Sequence, residues 1–294
     1  MKVGLIGAGA MGNAIGTRLL EQGIDLRVYD RNPPKVQALA DLGAVGCDGP
    51  AAAGEGVSHV ITSLNAADAV EAVVLGAGGV AEGAAEGTLI VDMSSIDPDA
   101  TKRIAAAAAE RGLRWVDAPL SGGAPKARIG ELTLMAGGSE ADCADAHEML
   151  RHVAANFTRM GDVGAGQTTK LINQVLCGLG FLAVAEATQL ALDAGVEAAK
   201  IPQALKGGRA DSAILQEYMP RMAEKDYART GRIDNMVKDL NGVQDLARRT
   251  NTAMPLTAIA AEVHRMMSAA GFGGEDQATL MEFFRGADAS KIGD

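Results

Sequence analysis

The sequence predicts an α/β protein with a doubly wound sheet over residues 1–163 and an all-helical C-terminal domain over 164–294, joined by a long interdomain helix. Three observations carry that expectation. Short apolar runs alternate with helix-period stretches as far as Met160, the signature of strands linked by crossover helices. From Thr168 onward no strand pattern recurs, and Ala-, Leu- and Met-rich faces repeat at helical spacing instead. Between the halves runs the longest helical pattern in the chain, from about Gly166 to Asp193, ended by Gly195.

The first strand is Lys2 to Ile6, followed by Gly7-Ala8-Gly9-Ala10-Met11-Gly12 and a helix over Asn13 to Leu20. A G-x-G-x-x-G pattern is weak alone; between a strand and a helix it marks a Rossmann-type dinucleotide site. Gly7 permits the tight turn, Gly9 lets backbone approach a pyrophosphate, and Gly12 lets helix and strand pack closely. Ala10 and Met11 lie between the second and third of these glycines and are read with them as cofactor contacts, and the helix N-terminus beyond has free N–H groups facing the phosphates. Leu26 to Tyr29 is the second strand. Asp30 ends it, 18 residues past Gly12, where an acidic side chain accepts from the adenosine ribose hydroxyls. That favours NAD. Arg31 beside it is placed to hold a 2′-phosphate or to stack on adenine, so NADP stays open.

Helices over Lys35–Leu42 and Ala66–Leu75, with strands over Val57–Thr62 and Thr88–Val91, continue the alternation. Asp97 and Pro98 open a helix through Glu110, Asp97 as its N-cap and Pro98 at its first position. Doubly wound sheets bind ligands at the carboxyl ends of their strands, which is where Leu64, Asn65 and Ser95 fall. After the strand Arg114–Asp117 comes Ala118-Pro119-Leu120-Ser121-Gly122-Gly123. A hydroxyl followed by two glycines is either an ordinary turn or an anion-binding nest of backbone N–H groups. The nest suits a substrate carboxylate, with Lys126 and Arg128 adding positive potential. Leu132–Ala136 and Asn156–Met160 read as two further strands flanking a helix over Ser139–Arg151.

On the joining helix, Lys170, Asn173 and Gln174 stand at i, i+3 and i+4 and share one face. A cation beside two amides there suits a substrate hydroxyl or carbonyl together with a carboxylate. Further helices are expected near 198–206, 212–224, 233–249, 255–270 and 276–285. From the sequence alone, Lys238 and Asp239 read as adjacent surface charges, and Gly207-Gly208-Arg209 as a cap and turn.

Composition bounds the rest. A net charge of −10 argues against nucleic acid or an anionic membrane as partner, and an anionic substrate would need local positive charge. Cys47, Cys143 and Cys177 form neither a disulfide framework nor a zinc site, which fits a reducing, cytoplasmic setting. His59, His147, His152 and His264 lack ligand spacing, so no metal is expected. The start of the chain lacks the pattern of a signal peptide, and no apolar run reads as long enough to cross a bilayer. With so few aromatic residues, the helical half is expected to need a partner subunit, as a homodimer or homotetramer.

With these residues laid out, the chain resembles the β-hydroxyacid dehydrogenase family, which includes 3-hydroxyisobutyrate dehydrogenase and tartronate semialdehyde (2-hydroxy-3-oxopropionate) reductase. Four motifs carry the resemblance, in order along essentially the whole chain: Gly7–Gly12, Asp117–Gly123, Gly164–Gln174 and Lys238-Asp239-Leu240. The resemblance implies hydride transfer between NAD(P) and a small 3-hydroxy acid or the corresponding semialdehyde. It makes Lys170 the general acid/base, which in the oxidising direction requires a pKa lowered by desolvation and neighbouring cations. It assigns the substrate carboxylate to Ser121, Gly122 and Gly123, and further substrate contacts to Asn173 and Gln174. Leu64, Asn65 and Ser95 become cofactor contacts. Lys238 moves from a surface charge to the nicotinamide end. Asn65 stands where the family usually has proline, and Gln174 where it often has asparagine, which leaves the substrate open. The fold also resembles imine reductases and 6-phosphogluconate-type dehydrogenases. Lys170 counts against the first, and the scarcity of basic residues around the pocket against the second. A dinucleotide-binding interaction module without catalysis is the reading from outside the enzymes, and an assay on small hydroxy acids separates it.

Overall fold

The computed structural model describes residues 1–285; residues 286–294, the end of the second domain as read from the sequence, lie outside the described residues. The strands are β1 (Lys2–Ile6), β2 (Asp25–Tyr29), β3 (Val45–Gly46), β4 (His59–Thr62), β5 (Leu89–Asp92), β6 (Arg114–Asp117), β7 (Leu120–Ser121), β8 (Leu132–Gly137) and β9 (Ala154–Gly161). Around them wind α1 (Ala10–Glu21), α2 (Pro33–Ala40), α3 (Pro50–Gly54), α4 (Ala67–Leu75), α5 (Val80–Gly83), α6 (Pro98–Ala109), α7 (Gly123–Ile129) and α8 (Glu140–Leu150). The order across the sheet is β3-β2-β1-β4-β5-β6-β8-β7, with β9 pairing β8.

From β3 to β6 every pairing is parallel. These strands read as unbroken apolar runs because both faces are covered. Along β4 and β5, Val60 and Ile90 pack into one core while Ile61, Leu89 and Val91 pack into the other. The helices α1, α7 and α8 close the first face and α3 to α6 the second. Burying each such Leu or Ile contributes roughly 1.5–3 kcal/mol, so the strands set the fold without help from their few polar positions. The doubly wound sheet that the sequence predicts is mixed at one edge. The strand β8 runs antiparallel to β6 and β7, and only β9 is parallel to it. The link through α7 folds the chain back, whereas α8 provides the full crossover that a parallel neighbour requires. The strands β3 and β7, two residues each, are too short for alternation to reveal.

Local chemistry sets the helix starts. Asp97 caps α6, its Oδ1 accepting from the N–H groups of Asp99 and Ala100 at 2.9 and 3.1 Å, with Pro98 at the first position. Ser139 caps α8 in the same way through the N–H of Asp142.

The chain divides into two compact units, the first Met1–Lys170 and the second beginning at Leu171. The sequence reading set the boundary at 163/164. By contacts the first turn of the joining helix, α9 (Ala165–Asp193), groups with the sheet unit, because it is hydrogen-bonded into it, as described below. The second unit contains the remainder of α9, then α10 (Ile201–Leu205), α11 (Ala213–Glu224), α12 (Ile233–Thr250), α13 (Pro255–Met267) and α14 (Met281–Phe284). Its core joins Phe181, Val184 and Ala185 of α9 to Leu215, Met219 and Met222 of α11, with α12 and α13 completing it. Buried Asp276 ties down the loop before α12, accepting from the N–H groups of Thr230 and Gly231 at 2.6 and 2.9 Å and pairing with Arg221 at 3.0 Å.

One expectation is overturned here. By length and composition, the 29-residue α9 is long and apolar enough to cross a membrane. Asn173, Gln174 and Glu186 interrupt the run, yet its average hydropathy stays high in spite of them. Part of the apolar surface of α9 is core, and part is an exposed stripe treated below.

Candidate active site

The glycine turn between β1 and α1 is built around backbone contacts that leave no room for side chains. Gly7 has φ 95°, and its N–H donates to the Tyr29 carbonyl at 2.9 Å. A Cβ on Gly12 would lie 1.8 Å from the Gly7 carbonyl oxygen, whereas a Cβ on Gly9 would meet nothing within 4 Å. Open space above Gly9, beside a helix start with no side-chain cap and no acidic residue in its first turn, fits a pyrophosphate on N–H groups from Gly9 to Gly12. Gly12→Ala cannot be absorbed by side-chain motion. It should cost about 1–3 kcal/mol of stability and weaken NADH binding, both readable by thermal melts with and without NADH.

Asp30 is held at the end of β2 by two N–H groups, that of Ala8 on Oδ2 and that of Asn32 on Oδ1, each at 2.8 Å. The carboxylate is thereby fixed beside the glycine turn, while Arg31 is exposed.

The loops after β4 and β5 are joined by a buried carboxylate that the sequence reading left without a role. Asp92 Oδ1 accepts from Thr62 Oγ1 at 2.8 Å and from the Ser94 N–H at 3.0 Å. Ser94 Oγ in turn accepts from the Leu64 N–H at 3.0 Å, so Leu64 and Ser94, the residue before Ser95, belong to one hydrogen-bonded assembly. Asp92 Oδ2 has no hydrogen-bond partner among the described residues, and burial pushes this carboxyl up to about 6. Asn65 is exposed beyond it.

The Ser121 loop contains two consecutive left-handed glycines, Gly122 at φ 115° and Gly123 at φ 70°, a backbone path that L side chains strongly disfavour. Lys126 and Arg128 do not add free positive potential there. Lys126 pairs with Glu131 at 2.5 Å and Arg128 with Glu21 at 3.7 Å.

Lys170 lies half-buried in the second turn of α9, within the sheet unit. Asp117, at the end of β6, receives the start of that helix: the Gly164 N–H donates to Oδ1 and the Gln167 N–H to Oδ2, both at 2.8 Å. A carboxylate on unsatisfied helix N–H groups also favours the positive end of the helix dipole. Burial nevertheless pushes the Asp117 carboxyl up to about 7, and the nearby Asp92 adds to the rise.

In the helical unit, Gln174 is committed to its neighbours. Its Nε2 donates to Asp239 Oδ2 at 2.5 Å, and its Oε1 accepts from Asn173 Nδ2 at 2.8 Å. Asp239 also pairs with Lys238 at 3.2 Å. Lys238 and Asp239 are therefore part of a chain of polar contacts ending at Asn173, with Asp239 as its buried hub. Read from the sequence as a surface charge beside Lys238, Asp239 is instead buried. No local signal marks it, because its partner Gln174 is 65 residues away. The buried histidines have ordinary partners: His59 meets Ser58 and Asp145, and His264 meets the Ala260 carbonyl and Gln277.

Comparison with known proteins agrees with this geometry. Residues 2–161 match the profile of the NAD binding domain of 6-phosphogluconate dehydrogenase. Residues 164–284 match the NAD-binding profile of NADP-dependent 3-hydroxyisobutyrate dehydrogenase. The chain is 35% identical to an L-threonate dehydrogenase of Cupriavidus necator, covering 97% of each. It is 32% identical to the crystal structure of 3-hydroxyisobutyrate dehydrogenase from Salmonella typhimurium, with a TM-score of 0.86 over 97% of this chain and 100% of that one. An imine reductase from Pseudomonas shares the fold alone, at 24% identity and a TM-score of 0.64 over 96% and 98% of the two chains.

Fold and site together define a Rossmann-type, NAD(P)-dependent oxidoreductase. The chain belongs to the β-hydroxyacid dehydrogenase family. Imine reduction is thereby set aside, and so is a role as a non-catalytic binding module.

Proposed function

We propose that the protein interconverts a small 3-hydroxy acid and its semialdehyde. Lys170 is the general acid/base, and Ser121, Gly122 and Gly123 hold the substrate carboxylate. The observation that carries this reading is the anchoring of Lys170's helix by Asp117 at the carboxyl end of the sheet, the end at which such sheets bind ligands. Bound NAD(P) supplies the hydride acceptor or donor at the nicotinamide C4. In reduction, Lys170 as ammonium donates a proton to the carbonyl oxygen; in oxidation, neutral Lys170 takes the hydroxyl proton. The carboxylate loop aims the reacting carbon, and Asn173, with Gln174 behind it, holds the substrate. Lys238 serves the nicotinamide end, oriented by Asp239.

Asp30 favours NAD over NADP, because its fixed carboxylate repels a 2′-phosphate. The test is NADH and NADPH oxidation, side by side, with three- and four-carbon semialdehyde acids. Turnover with NADH at least about tenfold more efficient, some 1.4 kcal/mol, is expected. A preference for NADPH would mean that Arg31 prevails, and binding of dinucleotide without turnover would sink the substrate class.

The subunits are proposed to pair through α9. Ile172, Leu176, Ala183 and Leu190 are exposed at spacings of four and seven residues, a stripe that suits a second helix. Leu176, 68% exposed, is the position to charge. Leu176→Glu should shift the mass measured by light scattering to that of a monomer. A monomeric wild type that instead sediments with lipid vesicles would give the stripe to a membrane. Three cysteines without a disulfide among the described residues support a reducing, cytoplasmic compartment, which cell fractionation checks.

A further inference from the structure

Gln167 belongs to the Gly164–Gln174 motif, yet the chemistry above gives it no part. Its residue surface is 1% exposed. Its Nε2 donates to the Ser94 carbonyl at 2.8 Å, and its Oε1 accepts from the Ile96 N–H at 3.1 Å. One amide thus grips the backbone on both sides of Ser95. Its own N–H donates to Asp117 Oδ2 at 2.8 Å. Through Ser94 the same assembly continues to Asp92 and to the Leu64 N–H.

A side chain kept only for volume would not need a donor and an acceptor in this order, since leucine or methionine fills similar space. Burying a primary amide is costly unless both ends are satisfied, and here both ends are spent on one loop. Lys170 lies one turn further along the same helix, three residues on. A small tilt of that turn relative to the loop therefore displaces Lys170 relative to Ser95.

We propose that Gln167 is a positioning residue for hydride transfer: it locks the turn of α9 preceding Lys170 to the Ser94–Ser95–Ile96 loop, keeping the proton donor and the cofactor-facing loop in one register. This rests on the reading of Lys170 as general acid/base. Displacement by about 1 Å at such a site costs on the order of 10²-fold in rate.

The test uses the full-length enzyme with Gln167→Leu and Gln167→Glu. Gln167→Leu leaves the Ser94 carbonyl and Ile96 N–H without their partner. Its kcat should fall about tenfold to a hundredfold, with a far smaller change in the Kd for NADH. The primary isotope effect with 4-deuterated NADH should rise, because hydride transfer then limits turnover in place of product release. A loss of folded fraction alone would scale kcat and leave KM and the isotope effect where they were.

Gln167→Glu is the second variant. Protonated, its hydroxyl donates to the Ser94 carbonyl as Nε2 does; ionised, it sets an oxygen charge against that carbonyl. The titratable groups facing it are Asp117 at the end of β6 and, through Ser94, Asp92 at the end of β5. Both are also present in the parent enzyme, so the readout is the ratio of variant to parent kcat. That ratio should be highest at low pH and fall as pH rises. An unchanged isotope effect in Gln167→Leu, together with a ratio independent of pH in Gln167→Glu, overturns the proposal. Lys170→Ala separates the two readings. If it keeps full turnover, the general-acid assignment fails. If it is inactive while Gln167→Leu turns over at the parent rate, only the positioning inference fails.

Discussion

Lys170→Ala should lower kcat by about 10²-fold or more while leaving NADH binding nearly intact. Removing a positioned general acid typically forfeits on the order of 10²–10⁴ in rate. On the proposed reading the dinucleotide does not depend on Lys170 for its own contacts, since the pyrophosphate is assigned to the glycine turn and the ribose to Asp30, at the ends of β1 and β2. The substitution leaves the backbone anchoring of α9 in place, because Asp117 holds the N–H groups of Gly164 and Gln167, not the lysine side chain. Melting temperature should therefore hold, kcat and kcat/KM should fall together, and fluorescence titration with NADH should be nearly unchanged. Turnover equal to the parent enzyme would remove Lys170 from the chemistry.

Asp92→Asn should gain stability relative to the parent as pH rises from about 4 to 6, and hold that gain above it. Asp92 is wholly buried, and burial pushes its carboxyl up to about 6 despite the Thr62 and Ser94 hydrogen bonds that pull it down. In the unfolded chain it titrates near 3.9. A raised folded-state value means that the native protein binds this proton more tightly than the unfolded one. The associated stability is present below about 4 and is lost as pH climbs through the folded value. At about 1.4 kcal/mol per unit over roughly two units, the loss is on the order of 3 kcal/mol. Asparagine keeps a carbonyl oxygen for Thr62 and Ser94 and carries no charge to bury. Removing Asp92's charge also eases ionisation of Asp117, whose carboxyl it helps to raise, so both contributions have the same sign. Urea unfolding across this range, followed through the single tryptophan, Trp115 of β6, reads the difference directly. A difference independent of pH would show that Asp92 is not the group being titrated.

The parts legible in the sequence were those whose cause is local. Val60, Ile61, Ile90 and Val91 form strands because a sheet covered on both faces needs apolar residues at consecutive positions. The glycines of the first turn announce themselves because backbone contacts at Gly7 and Gly12 exclude a side chain. Asp97 and Pro98 mark a helix start through neighbours two and three residues away. The expectation that no apolar run is long enough to cross a bilayer missed α9 for a related reason. Single polar residues are conspicuous in a sequence but count for little over 29 residues.

The wiring beneath the site is long-range. Asp117 reaches Gln167 across 50 residues, and Gln167 reaches Ser94 across 73. Asp92 meets Thr62 across 30, and Gln174 meets Asp239 across 65. No periodicity or turn chemistry relates such positions, because their partners become neighbours only once the sheet has brought its strand ends to one edge and the helices have packed. Local sequence was enough for the parallel strands and the glycine turn, and it singled out Lys170 as the proposed proton donor. Folding decided which buried carboxylates and amides hold that lysine's helix and the cofactor loops in place, since a hydrogen bond depends on distance in space and not along the chain.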